Sequence, residues 1–297
     1  MGIDTLNYIF VGGCERSGTT KLGFDLSNLE GCFSAPEAQF KSYTFGKKLE
    51  IPILRESLKN DFRFRQWGLP AEEVYDMEGE DSFEDILRSY RSYNKIPGQA
   101  FVDHTPENFN FYVAATRQKK DIKFIHLIRD GRAVYNSLKN VIWGPNSPER
   151  AAFFWMSRIC PGLISEADGR LFVKRVAYED YVSDRECFPK LVSELGLIEN
   201  ISSLGRLNVN DYTNSQHLEV QNEPQPDRIN AWRANLSKRE VEVFEHFAQA
   251  SLVLLNYEPL SVADSNYRYW HRYYWTMIEE VKRIADSLRF KARAKRV

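Results

Sequence analysis

The sequence predicts an α/β fold: a central parallel sheet flanked by helices in three layers, with a helical extension at the C-terminus. Three observations predict it. Apolar runs at Tyr8–Val11, Ala100–Val102, Lys123–Ile128 and Leu171–Val176 are short enough to be buried strands. Helical spacing of apolar residues fills the stretches between them, so strands and helices alternate with short connections. The first run breaks at Gly12-Gly13, and Leu22, Leu26, Leu29 and Phe33 then recur at helical spacing.

Each element follows in order. After the first helix, Pro36 forbids continued helix, so Glu37 falls on a loop or short strand returning over the glycine turn. Residues 44–98 mix charge with aromatics and contain short helices at about 49–60 and 82–92. They read as an insertion forming a lid or the wall of an acceptor site, and the acidic patch from Asp76 to Asp85 within them as a solvated face. The strand from Ala100 ends in Asp103-His104-Thr105, and Pro106 opens a helix through about residue 118. The strand Lys123–Ile128 leads through Arg129-Asp130-Gly131-Arg132 into a helix with Val134, Leu138 and Val141 on its apolar face. Further helices are predicted over about 148–166 and from Tyr178 to about 195, on either side of the Leu171–Val176 strand. Residues 197–226 read as a polar loop. Ser237 and Glu240 form a capping box for a helix over about 238–254. Tyr267, Trp270, Tyr274, Met277, Val281, Ile284 and Leu288 make a heptad seam that either pairs subunits as a homodimer or packs back on its own domain. The expected organisation is one domain over 1–262 and a C-terminal helix with a basic tail over 263–297.

At 297 residues the chain can bury a proper core, and 40 basic against 41 acidic residues leave no strong field for nucleic acid. No apolar run reaches membrane-span length and no signal-peptide core opens the chain, so a soluble cytoplasmic protein without a membrane partner is expected. The four cysteines lack zinc or disulfide spacing and the five histidines form no H-E-x-x-H, so no metal is expected. Cys14, inside the glycine loop, is the one thiol placed for reactivity.

A strand, a glycine loop and a helix N-terminus together aim backbone N–H groups at an anion. Gly13 and Gly18 have the spacing of G-x-x-x-x-G-K-[ST], but Thr19 stands where the lysine belongs, and the cation has moved into the loop as Arg16. Arg16-Ser17-Gly18-Thr19-Thr20 thus offers a guanidinium, three hydroxyls and amides. This segment resembles the [KR]-[SAC]-G-T-[TR] loop of sulfotransferases that use 3′-phosphoadenosine 5′-phosphosulfate (PAPS). A second segment strengthens the resemblance, because family members carry an arginine at a strand end and a serine eight residues later, as Arg129 and Ser137 stand here. Reading Asp130 instead as a Walker B carboxylate conflicts with that arginine and with the missing lysine.

The resemblance covers most of residues 7–260 and implies a P-loop-like fold and PAPS as co-substrate, with Gly13, Arg16, Ser17, Gly18, Thr19 and Thr20 around the 5′-phosphate. It implies that Arg129, Ser137 and Arg228 hold the 3′-phosphate, Arg228 through a looser match at Ala231-Trp232-Arg233. Tyr178-Glu179-Asp180 resembles a structural turn of the family. Glu37, twenty-one residues beyond Arg16, resembles the glutamate that heparan-type members place in E-x-x-F-F, where a carboxylate takes the acceptor's proton. His104 occupies the lysine position of the family's E-K-[TS]-P segment and competes for that role, whereas His126, mid-strand, reads as core. The implied reaction moves a sulfuryl group to a hydroxyl or amine of a small-molecule acceptor, with catalytic residues Arg16, Glu37 and His104. A P-loop kinase, a glycan or lipid sulfotransferase, and a scaffold assembled through the heptads are the alternatives.

Overall fold

A computed structural model describes residues 6–200 apart from 140, 142 and 146, residues 226–260, and residues 277 and 280. Strands β1 (Asn7–Gly13), β2 (Cys32–Ser34), β3 (Ala100–Asp103), β4 (Ile122–Ile128) and β5 (Phe172–Ala177) form one sheet in the order β2-β3-β1-β4-β5, every pairing parallel. β1 lies in the middle, with Phe10 opposite Asp103 on one side and Gly13 opposite Leu127 on the other. The loop after β1 therefore leaves the carboxyl edge of the sheet at its centre, where open α/β sheets bind ligands.

The chain packs as two compact units, Met1–Ile128 with Pro161–Pro224 and Arg129–Cys160 with Gln225–Val297. The first contains the whole sheet. Its helices are α1 (Thr19–Ser27), α2 (Lys41–Thr44), α3 (Ile51–Asn60), α4 (Phe62–Arg65), α5 (Ser82–Asn94) and α6 (Tyr112–Ala115). The second contains α7 (Gly131–Leu138), and α8 (Pro148–Asp168) contributes to both, changing unit at Pro161. The first unit also holds α9 (Tyr178–Ser183) and α10 (Cys187–Glu194), and the second holds α11 (Asp227–Asn235) and α12 (Lys238–Leu254).

The core of the first unit is aromatic. Phe10 packs edge-on against Phe124 at 5.3 Å between ring centres, Phe40 against Trp67 at 4.9 Å, and Trp67 against Tyr90 at 5.1 Å. Residues 44–98 supply much of it: Leu54, Leu58, Phe64, Trp67, Phe83 and Tyr90 are all buried in the same cluster as Phe10 and Phe101. Each such side chain contributes about 1.5–3 kcal/mol on burial, so the inserted stretch is part of the core and its removal would unmake the sheet's cover.

The acidic patch is a solvated face only in its first half, where Asp76, Glu78 and Glu80 are exposed. Asp81, Glu84 and Asp85 are buried. Asp81 caps α5 by accepting from the Glu84 amide at 2.8 Å, and Asp85 accepts from the amides of Met77 and Gly79, both at 3.0 Å. Lys120 lies 3.1 Å from both Asp81 and Glu84, and Lys48 2.6 Å from Asp85. The physical reason is that loop amides without a ladder partner need acceptors, and a dense run of carboxylates supplies them.

Several boundaries also differ from the periodicity. α1 ends at Ser27 and Phe33 lies on β2, because the chain must reverse within a few residues to place a parallel strand. The stretch after Pro106 is a 3₁₀ turn to Phe111 followed by one turn of α-helix, rather than a helix to 118. The stretch 178–195 is two helices, α9 and α10. Ser237 and Glu240 do form the capping box of α12. Residues 201–225 of the 197–226 loop, the boundary at 262/263 and all heptad positions except Met277 lie outside the described residues. Among the described residues no helix is long and apolar enough to cross a membrane.

Candidate active site

In the first unit the loop from Cys14 to Gly18 joins β1 to α1. Gly13 is required by close approach: a Cβ there would stand 2.2 Å from the Leu127 carbonyl oxygen. Gly18, the N-cap of α1, takes φ +97°, and a Cβ would meet the Tyr178 ring at 2.9 Å. Tyr178-Glu179-Asp180 is thus structural in a specific sense, since its tyrosine packs against the loop. Arg16 itself sits in the left-handed region at φ +69°, a conformation that costs a non-glycine residue about 1 kcal/mol and recurs at functional sites. Thr19 and Thr20 form the buried first turn of α1, which has neither a side-chain cap nor an acidic residue. Ser17 is fully buried, and its Oγ finds no hydrogen-bond partner among the described residues. Four N–H groups at a helix start and an orphaned hydroxyl in a glycine-bounded loop match an anion in charge and in hydrogen-bonding need.

Glu37 follows β2 and is partly exposed. Burial pushes its carboxyl up to about 7, reinforced by the negative charges of Asp103, Glu107 and Glu15 and opposed by Lys41. Gln39 Nε2 donates to Glu37 Oε2 at 2.7 Å. A carboxylate of that proton affinity suits general-base work near neutral pH. His104 is placed differently. It is 1 % exposed, lies against Gly23 of α1, and neither ring nitrogen has a hydrogen-bond partner among the described residues. Burial holds its pKa below the usual histidine range, so the ring is neutral. His126 is core, with Nδ1 2.6 Å from Glu166 Oε1 and its ring against Gly162.

The sequence reading passed over the polar network beneath this region. Lys41, fully buried, forms an ion pair with Asp103 and donates to Asn108 Oδ1. Asp103 Oδ1 also accepts from the amide and the hydroxyl of Thr105, at 2.9 and 2.6 Å. Asn108 Nδ2 donates to the carbonyls of Val11 and Asp103. A lysine between Phe40 and Tyr43, in a stretch otherwise turning inward, was the available signal.

In the second unit Arg129 is buried and donates from Nη2 to the Arg228 carbonyl at 2.9 Å, while its own carbonyl accepts from Trp155 Nε1 at 3.1 Å. Arg129 and Arg228, 99 residues apart in sequence, are thereby brought together. Ser137 is half-buried on α7 and the Arg228 side chain is exposed. Asp130 is committed elsewhere: it accepts from the Arg132 amide at 2.9 Å and pairs with the Arg132 guanidinium at 2.8 Å. Arg132 also reaches Glu245 at 2.6 Å and lies 4.2 Å from the ring centre of buried Trp232. Among the described residues no three His, Cys, Asp or Glu side chains cluster to hold a metal ion.

A family model described as the sulfotransferase family matches residues 8–188, from β1 through the loop, Glu37, His104 and Arg129 to the start of α10. The chain belongs to the sulfotransferase family. Two solved structures are similar to this sulfotransferase-family chain. The sulfotransferase domain from the Synechococcus PCC 7002 olefin synthase has a TM-score of 0.53 at 18 % identity, over 84 % of this chain and 97 % of its own. The sulfotransferase domain from the curacin biosynthetic pathway has a TM-score of 0.55 at 17 % identity, over 85 % and 98 %. At such identities the likeness establishes the shared α/β fold alone. Among curated proteins none matches the chain in sequence.

Proposed function

We propose that this chain transfers the sulfuryl group of PAPS to a hydroxyl or amine of a small-molecule acceptor. The observation that carries the reading is the loop after β1: glycine-bounded, led by Arg16, with Ser17 Oγ buried and, among the described residues, unpartnered at a helix start without a side-chain cap. When bound, the donor supplies an activated sulfuryl group whose leaving group is 3′-phosphoadenosine 5′-phosphate. Ser17, Gly18, Thr19 and Thr20 hold the 5′-phosphate with hydroxyls and amides, and Gly13 admits it to the strand end. Arg16 neutralises charge developing at the transferring group, as fixed cations do in phosphoryl transfer. Arg129, Ser137 and Arg228 hold the 3′-phosphate. Glu37 takes the acceptor's proton, supported by its partial exposure and its pKa of about 7. His104 ranks second for that role because it lies buried under α1.

Calorimetric titration tests the donor. 3′-Phosphoadenosine 5′-phosphate binds without added metal, and about tenfold or more tighter than ATP with magnesium. Tighter binding of the magnesium nucleotide would make the loop that of a kinase.

A further inference from the structure

Lys41 and Asp103 form a fully buried charge pair that none of the roles above uses, and a buried pair is weak evidence for stability alone. Its position says more. Asp103 ends β3, and Lys41 opens α2 four residues after Glu37. Between them the chain is tied a second time: the Ala38 amide, the peptide next to Glu37, donates to Thr105 Oγ1 at 2.9 Å, and that hydroxyl donates to Asp103 Oδ1 at 2.6 Å. Lys41 also bonds Asn108, whose amide group holds the Val11 carbonyl of β1 at 3.0 Å. Phe10 and Phe111 close over the ammonium at 4.7 and 5.1 Å. The stretch from Ala38 to Lys41 is therefore strapped at both ends to β3 and, through Asn108, to the strand that carries the anion loop.

We propose that Thr105 and Lys41, both acting through Asp103, are positioning residues that hold the Glu37 segment against the end of β3 and so present the Glu37 carboxylate to the acceptor. This rests on Glu37 being the base. The strap fixes the peptide that follows Glu37, and a carboxylate displaced by about 1 Å loses much of its catalytic advantage. It also keeps Glu37 among a defined set of charges: Asp103, Glu107 and Glu15 on one side of the balance, Lys41 on the other. Loosening the strap releases the carboxyl to solvent and returns its titration toward that of an ordinary glutamate.

The test reads that titration without any acceptor. For each protein, the melting temperature is compared with that of its Glu37→Gln counterpart from pH 4 to pH 9; the difference grows from the unfolded-chain pKa to the folded-chain one, so the pH at which it levels off reports the folded titration. In Thr105→Val the difference levels off about one pH unit or more lower and is correspondingly smaller, while Thr105→Ser, which keeps the hydroxyl, retains the original behaviour. Lys41→Gln lowers that pH as well, whereas loss of the Lys41 charge alone would raise it. A lower melting temperature with an unmoved or raised levelling-off pH in either variant would overturn the proposal, since that is what a purely structural network produces. Calorimetry with 3′-phosphoadenosine 5′-phosphate separates this from the donor reading: affinity stays within about twofold in Thr105→Val, whereas no binding to the unaltered protein would sink the donor reading and leave the strap standing.

Discussion

Glu37 is held in a surrounding that favours its protonated form, and that preference has a thermodynamic consequence apart from catalysis. Its pKa rises from an ordinary 4.5 to about 7 in the folded chain, chiefly through burial and then through Asp103, Glu107 and Glu15. Below pH 4.5 the carboxyl is protonated in folded and unfolded chains alike and costs nothing. As pH rises from 4.5 to 7 the unfolded chain ionises first and gains stability relative to the folded one. Above 7 both are ionised and the penalty is complete, at most about 3 kcal/mol for a shift of this size. Glu37→Gln removes it. The expected outcome is a variant that melts with the unaltered protein at pH 4 and several degrees above it at pH 8. Equal melting temperatures at pH 8 would mean that Glu37 is solvated. If Glu37 is the base, as proposed above, the same titration sets the activity profile, with kcat/KM rising through about pH 7.

Among the elements, α1 is held from two sides. Tyr178 at the start of α9 packs on its N-cap Gly18, Tyr181 of the same helix hydrogen-bonds Asp25, and Gly23 lies on His104. The helix is packed along its length by α9, which follows β5, and by His104, just after β3, which is what an anion cradle needs if its N–H groups are to converge. Gly18→Ala tests this: it forces an alanine to φ +97° and against the Tyr178 ring. Affinity for 3′-phosphoadenosine 5′-phosphate should fall about tenfold or more by calorimetry, with β-sheet content by circular dichroism unchanged. How much of this was legible depends on distance along the chain. β1, the loop and α1 are contiguous, so a broken apolar run, two glycines and a change of period revealed them. The junction of β4 with α7, where Arg129 and Ser137 stand, was legible for the same reason. Lys41 and Asp103 are 62 residues apart, and their pairing exists only because β2 and β3 are neighbours in the sheet. No local pattern encodes that. The acidic run from Asp76 misled in its second half, at Asp81, Glu84 and Asp85, because composition cannot tell a solvated carboxylate from one capping loop amides.

Across the whole molecule the charges nearly cancel, at 40 basic against 41 acidic residues, so the proposed affinity for a highly charged nucleotide requires fixed local cations rather than a general field. The proposed function involves two groups of cations, Arg16 in the loop after β1 and Arg129 with Arg228. If each answers to one end of the nucleotide, their removal should be separable by choice of ligand. Two probes suffice: 3′-phosphoadenosine 5′-phosphate, and adenosine 5′-phosphate, which lacks the 3′ group. Arg129→Ala loses one charge-assisted contact, worth about 1.5–3 kcal/mol, so affinity for the first probe falls roughly ten- to a hundredfold and affinity for the second stays unchanged. Ser17→Ala removes a hydroxyl at the 5′ end and weakens both probes by a similar factor. The Arg129 guanidinium also supports the Arg228 backbone through its Nη2, which makes Arg129→Lys informative: it keeps the charge but loses the fork that reaches two acceptors at once. It should recover only part of the discrimination between the probes. Equal weakening of both probes by Arg129→Ala would remove the 3′-phosphate from the second unit.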